Sequence, residues 1–487
     1  MKPTSQQKLV IDCQADSLVV NAFAGTGKTS TLVEFAKNQK NSKIVYLAFN
    51  KAIQLEAASK FGSHARCVTT HGIAYPEFGR PFAKKLGSPR ISHISQKFGV
   101  SYSEAKIGLD LVDRFLTTPF SQISNEFVKQ NTISSNSIRM VEHLKNLGLA
   151  IWESMQSFGT DDLPMSHNGY LKLYFLYGDR INADIILFDE AQDANPLVTE
   201  MVSQHVGKKV IVGDSYQSMY GFNNAKNALE SFKCEKRLYL TESFRFGQGV
   251  ADIATWMLSD WRGCNQRIIG HGPKSVFKID ESKPYASIHR TNADLFDQCV
   301  IKFTEQKPFG VIGKIDNYRF DKILSVYQLS MGMKNLCSDA HVKSFDNFFE
   351  YDKFARETES REDLSLIRCV GEYGSRLPRL ISCIKSQAKE ITGSVRGINV
   401  IAFTTAHKAK GLEFTQVKMG SDFCKLEEKS GDDGFIKLPD PEEVNMSYVA
   451  LTRATNCVNL SEQILDWLQQ SGRKLPLAKT PDQTVKI

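Results

Sequence analysis

Residues 17–29 read SLVVNAFAGTGKT. Residues 17–22 form a short run rich in β-branched and apolar side chains, the pattern of a strand buried on both faces in a parallel sheet. Gly25 and Gly27 follow it and let backbone N–H groups turn inward around phosphate oxygens, and the helix pattern over 28–40 adds the partial positive charge of its N-terminus. Lys28 is placed to reach the β- and γ-phosphates and the Thr29 hydroxyl to ligate Mg²⁺. The loop Ala24-Gly25-Thr26-Gly27-Lys28-Thr29 therefore reads as a nucleotide cradle, with Ala22 where such loops usually place their first glycine.

Further strands are expected at 43–48 (KIVYLA), 184–188 (DIILF) and 209–213 (KVIVG). The third of these four strands runs into Asp189-Glu190-Ala191-Gln192-Asp193. A carboxylate at the end of a buried strand suits Mg²⁺ held through water, and a second one beside it suits a base that orients and deprotonates the attacking water. Together with the loop, Asp189 and Glu190 point to nucleoside triphosphate hydrolysis.

At 487 residues the chain exceeds one core, and about 150 residues per domain gives roughly three domains. Its 41% hydrophobic and 24% charged residues fit neither a disordered nor a collagen-like chain. No apolar run approaches the roughly 18 residues of a spanning helix, and the N-terminus MKPTSQQKLVID has no signal-peptide pattern. Ten scattered cysteines without a C-x-x-C pair read as reduced thiols rather than a zinc site. The expected location is cytoplasmic, nucleoid-associated in a prokaryote or nuclear in a eukaryote. A net charge of +7 permits a polyanion partner without demanding one.

The texture changes along the chain. Residues 80–180 are polar and helix-patterned, as in 138–155 (IRMVEHLKNLGLAIWESM), and read as an inserted helical subdomain. A second α/β region is expected from 238, with RLYL and SIHR (287–290) as strands, an insertion over 311–390, and a return at NVIAFT (399–404). Residues 425–443 read as an exposed loop and the last dozen as a loose tail. The organisation is thus a first lobe at 1–79 and 181–237 around the insertion 80–180, then a second lobe at 238–310 and 391–487 around 311–390.

With Asp189–Asp193 the chain resembles the UvrD-like helicases of superfamily 1A, most closely the F-box DNA helicase branch. The resemblance runs from Thr4 to about residue 460 and rests on motifs in the family's order: TSQQ (4–7), LAFNK (47–51), TTHG (69–72), VGDSYQSMYGF (212–222), LTESFRFG (240–247), TAHKAKGLEF (405–414), Glu442-Glu443 and YVALTRA (448–454). It implies an α/β fold of two RecA-like P-loop lobes with parallel sheets, a helical insertion in the first and a small one in the second. Gln7 would read adenine, Phe244 would stack on it, and Glu413 would accept from the ribose. Arg245 and Arg453, from the second lobe, would reach the γ-phosphate, which Gln217 would sense. Phe49, Asn50, His71, Tyr220, Phe222 and His407 would contact DNA, the aromatic ones by sequence-tolerant stacking.

The activity this resemblance implies is that of an ATP- and Mg²⁺-dependent helicase and translocase, moving 3′ to 5′ on single-stranded DNA and opening 3′-tailed duplex by closing and opening its lobes. The alternatives are a translocase that strips proteins from DNA or powers a partner with little unwinding, and a nucleotide-gated binding module without turnover. Two departures stand out. Asn223 replaces the family's usual arginine, and the stretch from Arg290 to Thr405 is short for the family. The chain opens at its adenine-reading segment, so an F-box is not expected.

Overall fold

The computed structural model describes residues 2–132, 137–219, 227–357, 360–392, 399–423, 429–430, 436–437 and 439–475. The chain divides into two units, Met1–Phe23 with Gly27–Leu240, and Ala24–Thr26 with Thr241–Ile487.

In the first unit the apolar runs pair as parallel strands: β1 (Ser17–Ala22), β2 (Ile44–Ala48), β3 (Arg66–Thr69), β4 (Ile185–Phe188), β5 (Lys208–Gly213) and β6 (Lys236–Leu240), in the order β3-β2-β4-β5-β1-β6. Alternate side chains of β1 serve opposite faces. Val19 enters one apolar cluster with Val45, Leu47 and Ile186, and Val20 enters another with Tyr46, Leu187 and Val210. Each such fully buried side chain contributes about 1.5–3 kcal/mol. Because β5 lies between β1 and β4, the segments that leave their carboxyl ends converge on one edge. Open parallel sheets bind ligands at that edge.

Five helices occupy most of 80–180: Ile91–Phe98, Tyr102–Leu116, Asn125–Asn131, Ile138–Gln156 and His167–Tyr177. Their apolar faces share a cluster with the sheet, so Leu111, Leu144 and Ile151 belong to the same core as Val45 and Phe188. Within that core Lys172 is fully buried. Its ammonium lies 4.0 Å from the Phe115 ring centroid and donates to the Thr118 carbonyl at 2.7 Å and to the Phe120 carbonyl.

In the second unit β7 (Glu242–Ser243) pairs with β8 (Ile269–Gly270). The main sheet holds β9 (Ala286–His289), β10 (Phe309–Ile312), β11 (Lys389–Ile391), β12 (Ile401–Thr405), β13 (Phe414–Met419) and β16 (Ala454–Asn459). Its order is β11-β10-β12-β9-β13-β16, again all parallel. The small strands β14 (Lys429–Ser430) and β15 (Ile436–Lys437) pair with each other.

Two expectations, on RLYL and on the loop to residue 443, need correction, and the second insertion gains its flanking strands. RLYL is the end of β6 and pairs with β1, so it closes the first sheet instead of opening the second. The stretch 311–390 is bounded by two strands of the second sheet, β10 and β11. Its helices Phe320–Ser330, Arg361–Tyr373 and Leu377–Gln387 pack on that sheet through Ile323, Leu366 and Ile381, in one cluster with Val311 and Phe403. The loop expected to 443 ends earlier, because the helix Pro441–Leu451 begins at a proline in its first turn, with Asp440 capping it. The tail expected at the last dozen residues lies outside the described residues. Among the described residues no helix is long and apolar enough to cross a membrane.

Lys172 makes the first unit's stability depend on pH. Burial pushes its ammonium from an ordinary 10.5 down to about 7. Between those values the unfolded chain binds a proton that the folded chain does not, so Lys172 penalises folding fully below the lower value and progressively less as pH rises. Urea midpoints of wild type and Lys172→Met at about pH 6.5 and about pH 9 should diverge in favour of wild type, by up to ~1.4 kcal/mol per pH unit. An equal gap at both pH values would contradict this.

Candidate active site

The loop after β1 is shaped by two left-handed glycines, Gly25 at φ +75° and Gly27 at φ +76°. Gly27 is the N-cap of the helix Lys28–Asn38 and supplies no side-chain acceptor to its first N–H groups. An uncapped helix start behind a glycine turn is the arrangement that anions satisfy. Thr31, one turn on, folds its hydroxyl back to the Gly27 carbonyl at 2.9 Å. Gln7 stands against this turn, since a Cβ on Gly27 would lie 3.0 Å from the Gln7 amide nitrogen. Its other amide atom is engaged in the capping box of the helix Ser5–Ile11, where Gln7 Oε1 accepts from Thr4 N–H at 3.0 Å.

The acidic pair leaves the carboxyl end of β4. Asp189 is 2% exposed, and its carboxylate accepts from the Tyr46 hydroxyl at 2.6 Å and from Glu190 N–H at 2.9 Å. Burial and the neighbouring Glu190 push this carboxyl up, against the pull of Lys28 and the two donors. Glu190 takes a left-handed φ of +52°, a conformation that costs a non-glycine residue on the order of 1 kcal/mol. That turn aims its carboxylate at the phosphate loop. Lys28 Nζ lies 3.6 Å from Glu190 Oε1.

From Glu190 a chain of polar contacts runs to the end of β5. Gln192 donates to Glu190 Oε2 at 2.5 Å, and its carbonyl oxygen accepts from Asp214 N–H at 3.1 Å. Gln217 donates to Asp214 Oδ2 at 2.6 Å. Gln192 is fully buried, and room for its amide exists only because residue 213 is glycine: a Cβ there would sit 2.1 Å from Gln192 Oε1. Asn21, at the end of β1, accepts from Ser215 N–H at 3.2 Å and ties the two strand ends together. The donor set Thr29 hydroxyl and Asp189 carboxylate is hard oxygen throughout, which fits Mg²⁺.

Among the DNA candidates of this unit, Phe49 is 44% exposed. Asn50 caps the helix Lys51–Phe61 by accepting Ile53 N–H at 2.9 Å. His71 sits half-buried between the His167 and Tyr170 rings, 3.4 Å from Asn168 Oδ1, and burial pushes its imidazolium down. Tyr220, Phe222 and Asn223 lie outside the described residues.

In the second unit Arg245 and Glu413 form an ion pair, Nε to Oε1 at 2.7 Å, and Arg245 also donates to the Thr452 carbonyl at 3.2 Å. Arg453 is 1% exposed and donates to the carbonyls of Val449 at 3.0 Å and Leu412 at 3.3 Å. Phe244 keeps 37% exposure while one face stacks on His271, with centroids 5.6 Å apart. His407 is half-buried in the short helix Ala406–Ala409. Glu443 is nearly buried and forks onto Arg290, which gives it a structural partner inside its own unit.

Residues 6–223 match the AAA_19 family model, described as an AAA domain. The F-box DNA helicase protein 1 of Schizosaccharomyces pombe is 29% identical over 515 residues, spanning 95% of this chain and 57% of that protein. The F-box DNA helicase 1 of Gallus gallus is 26% identical over 529 residues, spanning 100% of this chain and 52% of its own. The chain is thus similar to these F-box DNA helicases along nearly its whole length. It spans little more than half the length of these two relatives. The PRRSV helicase structure aligns over 97% of this chain and 58% of its own at 11% identity, with a TM-score of 0.33. That likeness is too loose to bear on the fold, which rests on the two parallel sheets themselves.

Gln192, Asp214 and Tyr46 carried no assigned role in the sequence. Gln192 had a signal, since an amide two residues past a carboxylate can reach back to it. Asp214 and Tyr46 become visible only when β5 and β2 are placed beside β4. Replacing Gln192 by Ala removes the amide that holds Glu190 and leaves Lys28 in place. The expected outcome is a ~10–100-fold fall in kcat for ATP hydrolysis, the usual range for residues that orient a catalytic group, with the KM for ATP changed by less than about threefold. Steady-state kinetics check this, and an equal loss in KM would show that Gln192 serves nucleotide binding instead.

Proposed function

We propose that the chain is an ATP- and Mg²⁺-dependent DNA helicase and translocase that moves 3′ to 5′ on single-stranded DNA and opens 3′-tailed duplexes. The observation that carries this is the contact of Lys28 with Glu190, continued through Gln192 and Asp214 to Gln217. It joins the phosphate loop, the base and the proposed γ-phosphate sensor in one connected set.

Lys28 exchanges Glu190 for the β- and γ-phosphates when ATP binds, which releases the Glu190 carboxylate to take a proton from the attacking water. The loop N–H groups behind Gly25 and Gly27 hold the phosphates, and Gln7 stands beside them for the base. Thr29 and Asp189 are the residues that would hold Mg²⁺, which when bound would supply charge neutralisation at the phosphates. Gln217 reports the γ-phosphate through Asp214. Arg245 and Arg453 supply positive charge to the same phosphate when the lobes close, a contribution worth ~10³–10⁵ in rate in related hydrolases. Phe49, Asn50, His71, Tyr220, Phe222 and His407 form the proposed DNA track, and Phe244 and Glu413 complete the adenosine site. The fungal and avian relatives support a nuclear location.

A second reading is a translocase that strips bound proteins with little unwinding of its own. The short second insertion favours it, because its helices are absorbed into the core of their sheet. A strand-displacement assay on otherwise identical 3′-tailed and 5′-tailed duplexes, run beside displacement of a DNA-bound protein block, separates the two. The proposal expects unwinding of the 3′-tailed duplex at a rate at least ~10-fold above the 5′-tailed one. Protein displacement without unwinding would establish the second reading, and preference for the 5′ tail would refute the direction.

A further inference from the structure

The buried hydroxyl of Tyr46 is bonded to the carboxylate assigned to the metal. Tyr46 lies on β2, in register with Leu187 on the neighbouring β4, so its ring reaches past Phe188 to the residue that leaves that strand. The hydroxyl donates to Asp189 Oδ2 at 2.6 Å, and Tyr46 is 0% exposed. On its other side the ring packs against Phe61, with centroids 4.9 Å apart and planes at 45°. Phe61 is also fully buried and ends the helix that Asn50 caps.

We propose that Tyr46 is a positioning residue for the metal-binding carboxylate: it holds Oδ2 of Asp189 and thereby presents Oδ1 to Mg²⁺. The inference rests on the reading of Asp189 as that ligand. Two donors hold the carboxylate, one on each oxygen. The Glu190 N–H on Oδ1 comes from the next residue along the chain and turns with the same loop. The Tyr46 donor comes from a different strand, locked in the sheet, and so fixes the carboxylate against rotation about its last bond. A short charge-assisted O–H···O⁻ bond in a site closed to water is among the stronger orienting contacts a protein can make. Partners of metal ligands that act in this way typically change metal affinity or activity by ~10–100-fold when removed.

Tyr46→Phe tests this cleanly, because it keeps the ring on Phe61 and deletes only the donor. Tyr46→Met, which keeps an apolar filling without a hydroxyl, serves as the second donorless variant. Phe61→Leu loosens the ring contact and keeps the hydroxyl. Asp189→Asn removes the charge of the proposed ligand. For each full-length variant, binding of Mn²⁺ in the presence of a non-hydrolysable ATP analogue is followed by electron paramagnetic resonance. The Mg²⁺ dependence of ATP hydrolysis and the binding of the analogue without metal are measured alongside.

Both Tyr46 variants should weaken Mn²⁺ binding by ~10-fold or more and raise the Mg²⁺ concentration for half-maximal hydrolysis by the same factor. Metal-free analogue binding should stay within about twofold. Phe61→Leu should lower the melting temperature with Mn²⁺ affinity unchanged. Wild-type Mn²⁺ affinity in the Tyr46 variants, with that of Asp189→Asn lost, overturns the positioning role alone. Wild-type affinity in Asp189→Asn as well overturns the metal assignment on which it rests.

Discussion

A lysine on a glycine loop and a glutamate on a left-handed turn, 3.6 Å apart, organise the first unit. Neither residue could hold that position unaided. Lys28 begins a helix whose start has no side-chain cap, and Glu190 occupies backbone space that costs about 1 kcal/mol without glycine. The parallel sheet makes the arrangement possible, because β1, β5 and β4 are neighbours and deliver their following segments to one edge. Gly213 has to be glycine for the same reason: the Gln192 amide that steadies Glu190 passes where its side chain would be.

Burial gives this site its electrostatic character. Asp189 is almost closed to water and sits beside a second carboxylate, so the site is poised to accept positive charge. The Lys28 ammonium supplies part of it, together with the donors from Tyr46 and Glu190. Under the proposed mechanism ATP and Mg²⁺ then replace an interaction the protein makes with itself. The second unit shows a parallel case: Arg245 is paired with Glu413, and Arg453 is enclosed by backbone carbonyls of its own unit. These two guanidinium groups are therefore held in place by partners in their own unit.

Much of this was legible in the primary structure, for local reasons. A strand, a two-glycine turn and the start of a helix lie within thirteen consecutive residues at 17–29, and DIILFDEAQD carries its strand and carboxylates in ten at 184–193. Strand partnership was not legible. Lys236–Leu240 has the same texture whether it closes one sheet or opens the next, and only its pairing with β1 decides. The strands that flank the second insertion were not legible either, because β10 and β11 are short and their membership in the sheet depends on partners distant in sequence. Tyr46 and Asp214 had no local signature, since each acts on a residue more than twenty positions away.

Under the proposed function this set of groups hydrolyses ATP in a manner coupled to DNA. Mg²⁺-dependent ATP hydrolysis of wild type and Lys28→Ala, with and without single-stranded DNA, tests it most directly. Strong stimulation by DNA in wild type, abolished in Lys28→Ala, is the predicted result. Hydrolysis that is indifferent to DNA would contradict the claim and leave an uncoupled ATPase.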